Sequence, residues 1–148
     1  MIKKMLFVLL IGAIITVIII FMNQQPTEKI TVGEYSEMPQ IDMTLDILNV
    51  AIVNSPDEKI HVQLQGHKVK KDMLTMTEEG DRLFIKEKKR TTTWLDNIRF
   101  RSTPTIIVQL PESQNKKLTL NAENGNITIQ DLSLNTVQLD TSAGNTNL

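Results

Sequence analysis

Leu118-Thr119-Leu120-Asn121-Ala122-Glu123-Asn124-Gly125-Asn126-Ile127 is followed by an echo, Val137-Gln138-Leu139-Asp140-Thr141-Ser142-Ala143-Gly144-Asn145-Thr146. Aligning Leu120 with Leu139 and Gly125-Asn126 with Gly144-Asn145 sets an offset of 19 residues, and Ile129 then maps onto Leu148. Apolar positions alternate with polar ones, and their parity flips at each corner. It is even at Leu118 and Leu120, odd at Ile127 and Ile129, even at Leu132 and Leu134, odd at Val137 and Leu139. Period-two alternation is the mark of a strand with one buried face. A parity flip at each corner marks short strands that turn and restart, which is the rhythm of a β-solenoid whose coils stack around a narrow apolar interior. Gly125 and Gly144 fall at equivalent corners, where a positive φ or a close backbone approach is needed. A meander within a β-sandwich is the competing architecture.

The same alternation extends upstream. Ile41, Met43, Leu45 and Ile47 alternate with polar residues, and the phase then shifts to Leu48, Val50 and Ile52. Such a shift marks a bulge or a bend into a new strand. Ile60, Val62 and Leu64 follow a turn at Asn54-Ser55-Pro56-Asp57-Glu58, so that Ile41 to Gln65 reads as a β-hairpin or as two successive solenoid strands. Lys68 to Glu79 is ambiguous, Glu79-Gly80-Asp81 is a turn, and Leu83 to Lys86 is a strand that runs out into charge. Thr105 to Leu110 reads as a buried strand stopped by Pro111.

The 148-residue chain is 41% hydrophobic, but much of that is one block. Met5 to Met22 holds no charge and only Gly12 and Thr16 outside the apolar set. Its length as a helix, about 27 Å, suits a bilayer core. Lys3 and Lys4 precede it, which sets the amino terminus on the cytoplasmic side. The expected layout is a cytoplasmic tip (1–4), an uncleaved transmembrane signal-anchor (5–22), a stalk or linker (23–40) and an extracytoplasmic β domain (41–148). A cleaved signal peptide is the alternative, against which a block this long exceeds the usual secretory h-region. The lipid bilayer is then the first partner. Of the 16 Lys+Arg, 14 lie beyond the block with all 17 Asp+Glu, a formal charge of about −3 that asks for no nucleic acid. The absence of Cys removes disulfides, thiol catalysis and thiolate metal sites.

No catalytic, cofactor or metal motif stands out. Asp42 and Asp46 would be about 13 Å apart along a strand, too far for a paired acid and base. His61 and His67 lack a third ligand nearby. Asn121, Asn124, Asn126, Asn135, Asn145 and Asn147 suit turns or stacked ladders at corners. The strongest binding candidate is the segment from Glu87 to Ser102, where Lys88, Lys89, Arg90, Arg99 and Arg101 interleave with Trp94 and Phe100. These residues suit an anionic surface, either lipid headgroups or wall-polymer phosphates. The plainer alternative is a solvated inter-strand loop with both aromatics tucked onto the β core.

Four short motifs carry a resemblance. They are Ile60-His61-Val62-Gln63-Leu64-Gln65-Gly66, Gly80-Asp81-Arg82-Leu83-Phe84-Ile85, Ile106-Ile107-Val108-Gln109-Leu110-Pro111 and Asn124-Gly125-Asn126-Ile127-Thr128-Ile129. Over roughly residues 41–148 the chain resembles the adhesin-like domain family DUF4097, and with its anchor it is similar to the LiaG-like proteins of Gram-positive envelope-stress operons. The resemblance implies a mainly β, solenoid-like fold outside the cell and no assigned activity. It also implies further Gly-containing coils, so the chain is expected to end mid-solenoid, as a truncated or unusually short member. The functional expectation is a non-enzymatic, membrane-anchored, adhesin-like protein linked to envelope stress or surface interaction. The alternatives are an assembly module that self-associates through an open β edge, and a binder of anionic lipid, wall polymer or an envelope protein through the basic segment.

Overall fold

The computed structural model describes residues 14–15, 27–89, 102–112, 117–130, 132 and 135–147. The strands lie in two sheets. Four pairs of consecutive strands each cross from one sheet to the other, and each pair is one coil of the stack. They are β2 (Gln40–Leu45) with β3 (Asn49–Asn54), β6 (Arg82–Glu87) with β7 (Thr105–Leu110), β8 (Lys117–Ala122) with β9 (Ile127–Ile129), and β10 (Thr136–Thr141) with β11 (Thr146–Asn147). All neighbouring coils pair in parallel.

The 19-residue offset is the register of the last two coils. Lys117 pairs with Thr136 and Leu120 with Leu139 in one sheet, and Ile127 pairs with Thr146 in the other. Parallel in-register stacking puts like residues above like residues, so the apolar interior is built in columns. Leu83, Ile41, Leu118 and Val137 follow one another across the sheet, as do Ile85, Met43, Leu120 and Leu139. Ile41, Leu83 and Leu118 are fully buried, whereas Val137 in the outermost coil is 40% exposed because no further described coil covers it. Each fully buried Ile or Leu contributes about 1.5–3 kcal/mol by leaving water.

Chain order is not stack order. The first coil made, β2/β3, lies between β6/β7 on one side and β8/β9 on the other. The far side of β6/β7 is closed by antiparallel strands: β4 (Ile60–Gly66) pairs with β7, β1 (Glu28–Tyr35) with β4, and β5 (Leu74–Glu79) with β6. Antiparallel edges with charge and a register shift at Thr31/Gly33 close this end against further pairing.

Three expectations change. Ile41 to Gln65 is neither a hairpin nor only two coil strands: β7 sits between β3 and β4, so the strands joined by the Ser55–Lys59 turn do not touch as a ladder. The stretch 23–40 is not all stalk. From Glu28 it is strand β1, and Met38 is buried. Its alternation is blurred because an edge strand with a bulge buries its side chains only in part. The ambiguous Lys68–Glu79 becomes a single 3-10 turn, Lys71–Met73, and strand β5.

The architecture is mainly β and solenoid-like. Two sheets do face each other, but in the four coils the chain alternates between them and each coil pairs with the next in parallel, which a sandwich meander does not do. The transmembrane block lies outside the described residues except for Ile14 and Ile15, which are helical. Among the described residues no helix is long and apolar enough to cross a membrane.

Candidate functional site

The most ordered polar construction is the corner shared by the coils. At Asp46, Ile47 and Leu48 the chain leaves β2 for β3, which accounts for the phase shift as a bend between sheets. Three successive N–H groups point the same way there and would be unpaired without an acceptor. Glu87 supplies it: Oε2 accepts from Asp46 N at 2.8 Å, Ile47 N at 3.0 Å and Leu48 N at 3.2 Å. Successive N–H groups of this kind form an anion-binding nest. Glu87 follows Leu83 and Ile85 at the inward parity of β6, and it is the one buried charged residue among those described. An acidic residue at an inward position was the available sequence signal, hidden by the charged run that follows.

Next to the nest runs a column of glycine and asparagine. A Cβ on Gly125 would collide with the Leu48 carbonyl, and one on Gly144 with the Gly125 carbonyl. Gly144 also has φ +140°, where side chains are strained. Both corner glycines are thus required, Gly125 by close approach and Gly144 by approach and φ together. Asn126 N donates to Asn49 Oδ1 at 2.9 Å, and Asn145 N donates to Asn126 Oδ1 at 3.1 Å. The Asn49 amide also reaches Thr103 O at 3.4 Å. An asparagine ladder therefore follows the corner. It includes Asn126 and Asn145 as the spacing suggests, and Asn49, which lies 77 residues from Asn126 and has no repeat to reveal it.

Of the basic segment, Lys88 and Lys89 are exposed where the chain leaves β6, with Lys88 N donating to Met73 O at 3.0 Å. Arg90, Trp94, Arg99, Phe100 and Arg101 lie outside the described residues. Asp42 faces outward in β2 and pairs with Arg82 at 3.6 Å, while the Gln40 amide donates to it at 3.0 Å. The Arg82 guanidinium sits 5.8 Å from the centre of the Phe84 ring.

A second polar group escaped sequence reasoning. Ser55 and Asp57, in the turn before β4, meet His61 at the start of that strand. His61 Nε2 is 2.8 Å from Asp57 Oδ1, which also accepts from Ser55 Oγ at 3.1 Å and Lys59 N at 2.9 Å. These bonds, led by the one from His61, hold the Asp57 carboxyl below the usual carboxylate range. The residue types match a catalytic triad, but the connectivity does not. The serine hydroxyl donates to the aspartate rather than facing the imidazole, so no base is presented to it. Asp57 and His61 are four apart across a turn, a spacing that a strand-and-turn reading does not flag. Among the described residues no group of three His, Cys, Asp or Glu could hold a metal ion.

The fold has solved counterparts. A candidate cell-adhesion protein from Clostridium sporogenes ATCC 15579 superposes with a TM-score of 0.58 at 9% identity, over 80% of this chain and 58% of its own. A candidate adhesin from Bacteroides fragilis NCTC 9343 superposes with a TM-score of 0.50 at 18% identity, over 82% of this chain and 62% of its own. The chain thus spans about three fifths of the length of either structure. No curated protein matches it in sequence. The family model described as Toastrack DUF4097 matches residues 38–148, from the buried Met38 through the last coil, and the chain belongs to that family.

Proposed function

We propose that this chain is a non-enzymatic, adhesin-like module held on the outer face of the cell membrane by its N-terminal helix, serving surface interaction or the response to envelope stress. The observation that carries this reading is the junction between sequence and fold. The uncharged block ends at Met22 behind Lys3 and Lys4, and strand β1 begins at Glu28. On this reading so short a link would keep the stack near the lipid surface; Lys88 and Lys89 are exposed side chains of the β domain. The adhesion-related names of the two superposable proteins, and the structural use of the one carboxylate buried among the described residues, favour a binding role over catalysis. Membrane fractionation followed by protease treatment of intact cells tests the placement. The full chain should sediment with membranes and lose its β domain to external protease; an intact soluble chain would overturn it.

A second reading, assembly by strand addition, is favoured by the outer edges of β10 and β11. Neither edge has a further strand partner among the described residues, and Val137 is exposed there. Size-exclusion chromatography of residues 24–148 decides it, since a monodisperse monomer is incompatible with edge pairing. Contact with anionic lipid or wall polymer through Lys88, Lys89, Arg90, Arg99 and Arg101 belongs to the same surface role. It is tested by co-sedimentation with anionic and neutral vesicles.

A further inference from the structure

His61 holds an unusual position on β4. Its side chain is only 12% exposed and lies between two carboxylates, each about half exposed. Nε2 is 2.8 Å from Asp57 Oδ1 in the turn before β4, and Nδ1 is 3.6 Å from Glu34 Oε1 on β1. Glu34 is also the register partner of His61 across the β1–β4 ladder. On the other side, across β4–β7, the partner is the uncharged Gln109. The charged neighbours are therefore Glu34 on β1 and, in the turn, Asp57 with Glu58 and Lys59 beside it.

The chemistry of imidazole decides what this arrangement can do. A neutral ring carries one N–H and can serve one carboxylate; a protonated ring carries two and serves both. Asp57 has the shorter contact and already accepts from Ser55 and Lys59, so a single N–H stays with it. Glu34 is the carboxylate that gains or loses its partner. β1 is where such a change can tell: it is an edge strand, its apolar Ile30, Val32 and Tyr35 are only partly buried, and its register shifts at Thr31/Gly33. Elements with little buried surface open most readily.

We infer that His61 is a proton-operated clasp on the edge strand β1, bridging Glu34 and Asp57 when protonated and releasing Glu34 when neutral. The low-lying carboxyl of Asp57 agrees with a strong donor at that ring nitrogen. Opening β1 would return its eight residues to the link that precedes them, adding up to about 26 Å of reach. On the anchored reading above, this adjusts the height of the stack over the membrane. The clasp itself does not depend on that reading.

Amide hydrogen exchange on the full chain tests it, comparing protection factors at about pH 8 and about pH 5. β1 opening, measured relative to β3 and β7, should fall about two- to fivefold on acidification, the scale of one partly exposed ion pair. Glu34→Gln should remove that change while leaving the fold intact, because Glu34 is half exposed. His61→Gln should remove it too. A pH-independent β1 in the wild type, or a change that survives Glu34→Gln, would overturn the clasp. Neither result bears on fractionation, so failure of the anchored reading is distinguishable.

Discussion

The carboxyl oxygen Oε2 of Glu87 accepts the backbone N–H of Leu48 at 3.2 Å, joining the end of β6 to the corner between β2 and β3 across 39 residues of chain. The same oxygen holds the N–H groups of Asp46 and Ile47. A fully buried Leu48 thus turns the chain from one sheet to the other with its backbone donors satisfied.

Removing that acceptor should be costly. Glu87→Ala leaves three N–H groups without their partner, and a loss of about 3 kcal/mol is expected. Glu87→Gln keeps a carbonyl oxygen and should lose about 1 kcal/mol. Urea denaturation of both variants measures the difference, and an Ala variant as stable as the wild type would remove Glu87 from the account of the corner.

The two corner glycines should differ in tolerance. Gly125 is packed between Leu48 and the Gly144 coil, so a methyl group there displaces backbone on an inner layer. A cost of about 3 kcal/mol is expected for Gly125→Ala, at the upper end of overpacking. Gly144→Ala meets the Gly125 carbonyl and an unfavourable φ, but the outer coil can shift away. About 1–2 kcal/mol is expected, with loss of protection confined to β10 and β11. Thermal melts together with hydrogen exchange separate the two cases.

The asparagine ladder should weaken outward. Asn49→Ala removes the acceptor for Asn126 N, and Asn126→Ala the acceptor for Asn145 N. Each should cost about 0.5–1.5 kcal/mol. The first should reduce protection at β9 and beyond, the second at β11 alone. Residue-resolved exchange reads the pattern, and uniform destabilisation by Asn126→Ala would contradict a directional ladder.

Asp57 offers a pH test with a definite sign. Its folded-state carboxyl is held below its ordinary value of 3.8, first by the hydrogen bond from His61 and then by that from Lys59 N–H. The stabilisation is therefore present above the unfolded value and is lost as pH falls through the folded one, in the region below 3.8. His61→Gln should raise the Asp57 midpoint toward 3.8, as followed by the carboxyl carbon shift in an NMR titration. An unchanged midpoint would mean that Lys59 and Ser55 hold the carboxylate without the imidazole.

Much of this fold is written locally. The alternation of Ile41, Met43 and Leu45 or of Leu118 and Leu120 is a two-residue period, and a parallel coil needs only that to bury one face of each strand. The echo of Gly125-Asn126 in Gly144-Asn145 is the translation of one coil onto the next, so a single offset yields strand pairing, corner position and ladder together. The basic segment was equally visible, yet only Lys88 and Lys89 of it fall among the described residues.

What the sequence by itself determined is the kind of coil: its strand length, its corner glycines and its repeat, all set by contacts between residues near in the chain or related by translation. The tertiary structure decided which coil lies beside which. It placed β2/β3 between later coils, slid β7 between β3 and β4, and drew Glu28–Tyr35 in as a closing strand. It also brought Glu87 to Leu48 and His61 to Glu34. These choices depend on which exposed edges and unpaired N–H groups meet after distant segments have folded, and no local period records that.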